Sequence, residues 1–262
     1  MKGYLPLIIF VLLTWNAAGN AAFMPVECEG TYKQHLQGVC TGDDSIFWCF
    51  TTTLVKTDLS GKLLKKSDVA THHGDLCFHD GNLFVAVNFA IFNRAEGGAD
   101  SWVYVYKADD LSLIAKHPVP EVLHGAGGIA CHGGKFVVVG GLPPGVEENY
   151  AYEYDEQFKF VKKHALKSGY TLMGIQTAAF ADGNWWFGCY GKPATLLKAD
   201  KSFQKVERFE YDCSVGIVPI GGGRFLVGRD SSSKEKGHTG RLVLAETDNE
   251  RGLKMIQEPT PQ

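Results

Sequence analysis

Several things are scarce in this chain, and each scarcity excludes something. Net charge is only −3, from 26 basic and 29 acidic side chains, and no segment gathers Lys or Arg into a stripe. A protein that grips a phosphate backbone needs such a stripe, so nucleic acid is not an expected partner. After the first fifteen residues no apolar run approaches the about 20 residues of a bilayer span, so no membrane insertion is expected. No segment of convincing length carries the helical period. Neither a GxSxG turn nor an HExxH helix occurs, which removes support from the familiar serine-hydrolase and zincin routes. What is present, 45% hydrophobic and 21% charged residues with 31 Gly and 10 Pro in 262 residues, excludes disorder and collagen and suits one large all-β unit.

The first residues read as a targeting signal. Lys2 precedes an apolar run from Tyr4 to Trp15, and the small residues of NAAGNAA follow, with Gly19 and Ala21 placed for a cut after Ala21. Residues 1–21 are therefore expected to be a cleaved secretory peptide, with the mature protein secreted or periplasmic in an oxidising compartment.

The rest of the chain repeats itself. Five segments share a short apolar strand, a tight turn and a second apolar strand: VCTGDDSIFWCFT (39–51), LCFHDGNLFVAVN (76–88), IACHGGKFVVVGG (129–141), AAFADGNWWFGCY (178–190) and VPIGGGRFLVGRD (218–230). Their central Asp-Asp, Asp-Gly and Gly-Gly pairs suit the positive φ angles of hairpin turns. Each segment continues into a second hairpin, where alternation such as VYVYK and AYEYD marks strands. The starts lie 37, 53, 49 and 40 residues apart, near the roughly 40 to 50 residues of a four-stranded blade. The pattern predicts an all-β, five-bladed β-propeller of four-stranded antiparallel blades over residues 35–257, with an N-terminal segment at 22–34 and a tail at 258–262. The longer second and third units place their extra residues at 88–100 and 141–149, so two long loops are expected on one face.

From Gln34 to Lys254 the repeat pattern and its Asp-Gly turns resemble secreted bacterial propellers of the broad YVTN/NHL-like type. That resemblance implies an architecture and not an activity.

In a propeller the innermost strand of every blade starts at one mouth of the central channel, and the loop between second and third strands returns there. The strand starts are HLQG (35–38), HHGD (72–75), HGAGG (124–128), GIQT (174–177) and CSVG (213–216). Candidate ligand-binding residues at this mouth are His35, Gln37, His72, Asp75, Asn88, Glu147 and Gln176. Three of the five starts carry histidine. His35, His73 and His124 form a candidate ligand set for a divalent transition metal; hydrogen bonding to neighbouring blades is the plainer alternative. His73 or His124 could also act as general acid or base, with Tyr190 or Arg229 stabilising charge. Two-carboxylate glycosidase chemistry is disfavoured, because Asp75 is the only acid at a strand start. Most cysteines share columns with Ala, Gly or Phe and read as core, while Cys28 and Cys213 fall outside that pattern and are candidates for a disulfide closing the ring.

Two function classes follow. One is a non-catalytic module, expected to be monomeric, that binds a small polar or saccharide ligand, or a protein, at the mouth. The other is a metal-assisted lyase or hydrolase acting on a saccharide-like substrate through the histidine cluster.

Overall fold

The turns organise everything else. In the computed structural model, Asp43-Asp44, Asp80-Gly81, Gly133-Gly134, Asp182-Gly183 and Gly222-Gly223 all have positive φ at both positions. This is the backbone that a two-residue hairpin needs to match strand twist, and Asp and Gly tolerate it best. Residues 13–15, 21–233 and 237–256 are described; most of the expected leader and all of the 258–262 tail lie outside them.

Strands β1 (Leu13–Trp15) and β2 (Ala21–Phe23) pair with each other, apart from the blades. After β3 (Val26–Glu27), blade 1 comprises β4 (Leu36–Gly42), β5 (Ser45–Phe50), β6 (Thr53–Asp58) and β7 (Leu63–Asp68). Blade 2 comprises β8 (His73–His79), β9 (Asn82–Asn88), β10 (Ser101–Lys107) and β11 (Leu113–Pro118). Blade 3 comprises β12 (Ala126–His132), β13 (Lys135–Gly140), β14 (Asn149–Tyr154) and β15 (Phe160–Leu166). Blade 4 comprises β16 (Leu172–Ala181), β17 (Asn184–Tyr190), β18 (Thr195–Asp200) and β19 (Val206–Glu210). Blade 5 comprises β20 (Ile217–Gly221), β21 (Arg224–Ser233), β22 (Gly237–Asp248) and β23 (Gly252–Met255). The protein is a five-bladed β-propeller, and no helix lies among the described residues.

Five apolar clusters fill the five gaps between adjacent blades. Trp48, Phe50, Leu226 and Leu242 join blades 1 and 5; Phe47, Leu83 and Val85 join blades 1 and 2. Phe136 and Val103 join blades 2 and 3, Phe187 and Val139 join blades 3 and 4, and Trp186 and Phe225 join blades 4 and 5. Because apolar side chains on both faces of each sheet are removed from water, no blade can peel away without exposing two such faces. The outermost strands β7, β11 and β15 are largely exposed and carry Lys65, Lys66, Lys116, Lys162 and Lys163. Charge on these edges discourages edge-to-edge association.

Ring closure departs from the sequence expectation. The 22–34 segment is not outside the propeller: β3 pairs with β22 through Leu242↔Val26 and Arg241↔Glu27, and Tyr32 exchanges backbone hydrogen bonds of 2.8 Å with His238. The two ends of the propeller are thus joined within blade 5 by hydrogen bonding, without a cross-link. Cys28 and Cys213 belong to clusters on opposite faces of blade 5, so the candidate disulfide is not formed; all seven cysteines are free thiols. Burial pushes the Cys40, Cys49, Cys77 and Cys213 thiols well above their ordinary pKa, which keeps them unreactive.

At the axis stands one carboxylate. Asp75 occupies the column that holds Gly38, Gly128, Thr177 and Gly216 in the other blades, and it is 2% exposed. The Ala178 N–H donates to its Oδ2 at 3.0 Å, and the backbone N–H groups of Val39, Leu76 and Ile129 also donate to the carboxyl group. Burial raises its pKa well above the usual carboxylate range, and those four donors pull against that rise. Gly38 is required here, since a Cβ at that position would lie 2.4 Å from Asp75 Oδ1. Asp75→Ala would leave the donors of four blades without an acceptor in a dry axis, at a cost of roughly 3 kcal/mol or more. Urea denaturation should register that loss, and a change below about 1 kcal/mol would show that the axis does not depend on the carboxylate.

Candidate functional site

Above Asp75 the inner strands open into a cavity of about 180 Å³ lined by His35, Gln37, His72, Phe92, Asn93, Gly127, Gly141, Met173, Gln176 and Tyr190. The convergence expected from topology is found for His35, Gln37, His72, Gln176 and Tyr190. They come from blades 1, 2 and 4, because each blade delivers its first strand to the same mouth.

The centre of the site is a bridged histidine pair. Gln37 Nε2 lies 2.8 Å from His35 Nε2 and 2.9 Å from His72 Nε2, with Thr51 Oγ1 at 3.2 Å. An amide nitrogen only donates, so both imidazoles accept at Nε2 and carry their proton on Nδ1. Burial is the main reason that both pKa values fall below 6.5. For His35 the nearby Asp230 opposes the fall and His238 adds to it; for His72 the charge of His35 adds to it, against a backbone hydrogen bond. At neutral pH the pair is therefore uncharged. Protonating either ring would place an N–H against the Gln37 donor.

Several polar groups of the lining have no protein partner among the described residues: the Tyr190 hydroxyl, His35 Nδ1, Asn93 Nδ2 and the Oε1 atoms of Gln37 and Gln176. Desolvation is the main cause that pushes the Tyr190 pKa up to about 12, so its hydroxyl keeps its proton and can donate. Gln176 Nε2 donates to the Met173 carbonyl at 2.8 Å, which holds that side chain across the opening.

The long loop of blade 2 closes one side. Asn93 anchors it, accepting the Leu142 N–H at 3.0 Å through Oδ1 and donating its own N–H to the His124 carbonyl at 3.1 Å. Phe92 then packs edge-on against His72, with ring centroids 5.2 Å apart. Phe92 and Met173 are lining residues that sequence reasoning missed. The available signal was the apolar run Phe89-Ala90-Ile91-Phe92 at the start of a loop that is otherwise mostly polar.

Other expected site residues are committed elsewhere. His73 is fully buried inside blade 2, where Nδ1 meets the Ala70 carbonyl at 2.6 Å and Nε2 meets the Tyr106 hydroxyl at 2.8 Å. His124 Nδ1 donates to the Arg94 carbonyl at 2.8 Å, outside the cavity lining. The proposed metal set of His35, His73 and His124 is thus not assembled, and no group of three or more His, Cys, Asp or Glu among the described residues is arranged to hold a metal ion. Arg229 donates to the Asp212 and Gly228 carbonyls, and Glu147 accepts the Tyr170 N–H, so both serve loop structure. Asn88 is buried at the end of β9, its Nδ2 donating to the Ala90 carbonyl, and Asp75 lies below the cavity at the axis. Residues 231–233 and 237–240 extend β21 and β22, with Ser231↔Thr239 and Ser232↔His238 in register. His238 there pairs with Asp230 at 2.9 Å, beside His35.

No protein-family model and no curated protein matches the chain. Among solved structures, a protein of unknown function from Bacteroides caccae is similar with a TM-score of 0.54 at 12% identity, over 88% of this chain and 93% of that one. The WD40 β-propeller domain of Doa1 gives 0.48 at 15% identity, over 86% and 69%, and a luciferin-regenerating enzyme gives 0.47 at 12%, over 90% and 98%. At these identities the likeness concerns the fold alone.

The buried His73 makes stability pH-dependent. Desolvation lowers its folded pKa to about 4, against 6.5 for the unfolded chain. The unfolded state binds the extra proton between those values, so stability is full above pH 6.5 and is lost as pH falls towards 4, by up to roughly 3 kcal/mol. Urea midpoints at pH 7 and pH 4.5 should show this drop, and His73→Gln should remove most of it. An equal drop in the variant would assign the effect to other groups.

Proposed function

We propose that the protein is an exported β-propeller, similar to the YVTN/NHL-like type, that binds one small uncharged ligand at the His35–Gln37–His72 mouth. The observation that carries this reading is the cavity's chemistry. Its lining contains no charged side chain at neutral pH, yet it presents free donors at the Tyr190 hydroxyl and His35 Nδ1 and free acceptors at Gln37 Oε1 and Gln176 Oε1. A ligand that fits offers both an oxygen acceptor and a donor, as a hydroxyl or primary amide group does, together with a face for Phe92 and Tyr190. Neutral saccharides belong to that class. The nearby Asp230 carboxylate is already engaged by His238, so an ion would meet no free counter-charge in the lining, and desolvating it costs several kcal/mol. The metal-assisted lyase or hydrolase reading loses its support with the dispersal of His73 and His124.

Calorimetry at pH 8 with neutral monosaccharides and simple amides, set against acetate and methylammonium, tests the reading. Uncharged compounds should bind and ions should not. Tyr190→Phe should weaken binding by about tenfold, the value of one hydrogen bond. Since both histidines titrate below 6.5 and the neutral pair is the competent form, affinity should be level above that pH and fall below it. Preferential binding of ions, or affinity that rises on acidification, would refute the assignment.

A further inference from the structure

The rim of the same mouth has two unlike halves. Over blades 2 to 4 it exposes Phe89, Ile91, Leu123, Leu172 and Met173, each between 39% and 51% accessible, with the Arg94–Glu96 pair further along the same loop as Phe89 and Ile91. These residues sit on segments that touch in sequence around the opening. Gly97 lies beside Leu123, Phe92 beside Gly125, Asn93 is bonded to the 124 and 142 backbone, and Gly174 backs onto Gly140 and Leu142. The opposite half, over blades 5 and 1, holds the Asp230–His238 pair and Arg229 on the Asp212 carbonyl. The cavity lies between the halves, and Met173 belongs to both its lining and the apolar rim.

Resting on the proposed binding site, we infer that its ligand is an uncharged amphiphile, with a hydroxyl or primary amide head in the cavity and an aliphatic chain over the apolar half of the rim. Several features support this. The cavity is about 180 Å³, below the usual size for a complete ligand pocket, so part of the bound molecule lies outside it. Met173 belongs to both the lining and the exposed rim, and Phe92 of the lining follows Ile91 in the chain, so one molecule can touch both. Exposed apolar side chains around a pocket mouth are the kind of surface that a ligand covers. A chain laid the other way would cover the Asp230–His238 pair and Arg229 with hydrocarbon and strip them of water, which sets its direction. No side chain of the lining could neutralise a carboxylate or ammonium head, so fatty acid anions and alkylammonium ions are excluded.

A homologous series of straight-chain primary amides, from butanamide to decanamide, titrated by calorimetry at pH 8, tests the inference, with the matching carboxylates as controls. Affinity should rise about fourfold per added methylene while the chain still covers rim, which is the transfer value of a buried CH₂. The double variant Ile91→Ser, Leu172→Ser, whose positions are exposed, should melt as the wild type does. It should bind butanamide normally and lose most of the chain-length gain. Tyr190→Phe should instead weaken every member by a similar factor. Butanamide and decanamide binding equally well would overturn the amphiphile and leave the pocket reading intact. Binding of no member at millimolar concentration would overturn both. Carboxylates binding as tightly as amides, or a chain-length gain untouched by the double variant, would also overturn the inference. So would dimerisation that the double variant abolishes without any chain-length gain, which would assign the rim to a second copy of the protein.

Discussion

Five strands that converge on one axis bring five rows of backbone N–H groups together where water is scarce, and buried donors of this kind must find acceptors. Asp75 answers that constraint for four of the five blades at once. The arrangement works because the other positions of its column are Gly or Thr, leaving space for one carboxyl group and no second one. A Cβ at Gly38 would already collide with it. The same residue divides the channel. On one side lies the histidine mouth; on the other, a second cavity lined by Cys40, Cys77, Cys131, Phe78, Phe180 and Pro219. The binding cavity is consequently blind, and its chemistry is set by the residues just above the axis.

Most of the architecture could be read from the sequence because propeller blades are built on local rules. The paired Asp and Gly turn residues announce positive φ, and all five turns adopt it. Alternation then gives the strands and spacing gives the blades. Ring closure was not legible. The Val26–Glu27 strand is two residues long, and its partner β22 lies more than two hundred positions away, so no periodicity reveals the pairing. The free thiols of Cys28 and Cys213 follow from the same closure, which places them on opposite faces of blade 5.

The site was legible where topology alone decides and illegible where the local path of the chain decides. His35, Gln37, His72, Gln176 and Tyr190 gather at the mouth simply because of where their strands begin and end. His72 and His73 are neighbours in sequence where the chain enters β8, yet His72 lines the cavity while His73, the first residue of the strand, is swallowed by blade 2. Asp75 resembles a mouth residue by position, but its short side chain reaches the axis and finds backbone donors there. Phe92 escaped notice because its place depends on how a thirteen-residue stretch, 88–100, folds back, and that is fixed by Asn93 bonding to blade 3.

The functional reading rests on one electrostatic statement, that His35 and His72 are both neutral and share the Gln37 amide as donor. Long-range ¹H–¹⁵N correlation of the histidine rings reads protonation and tautomer directly. The account predicts that at pH 7 both rings are neutral with the proton on Nδ1, and that they titrate below the ordinary value of 6.5. A positively charged ring at either position at pH 7 would contradict it, because the cavity would then be built to hold an anion.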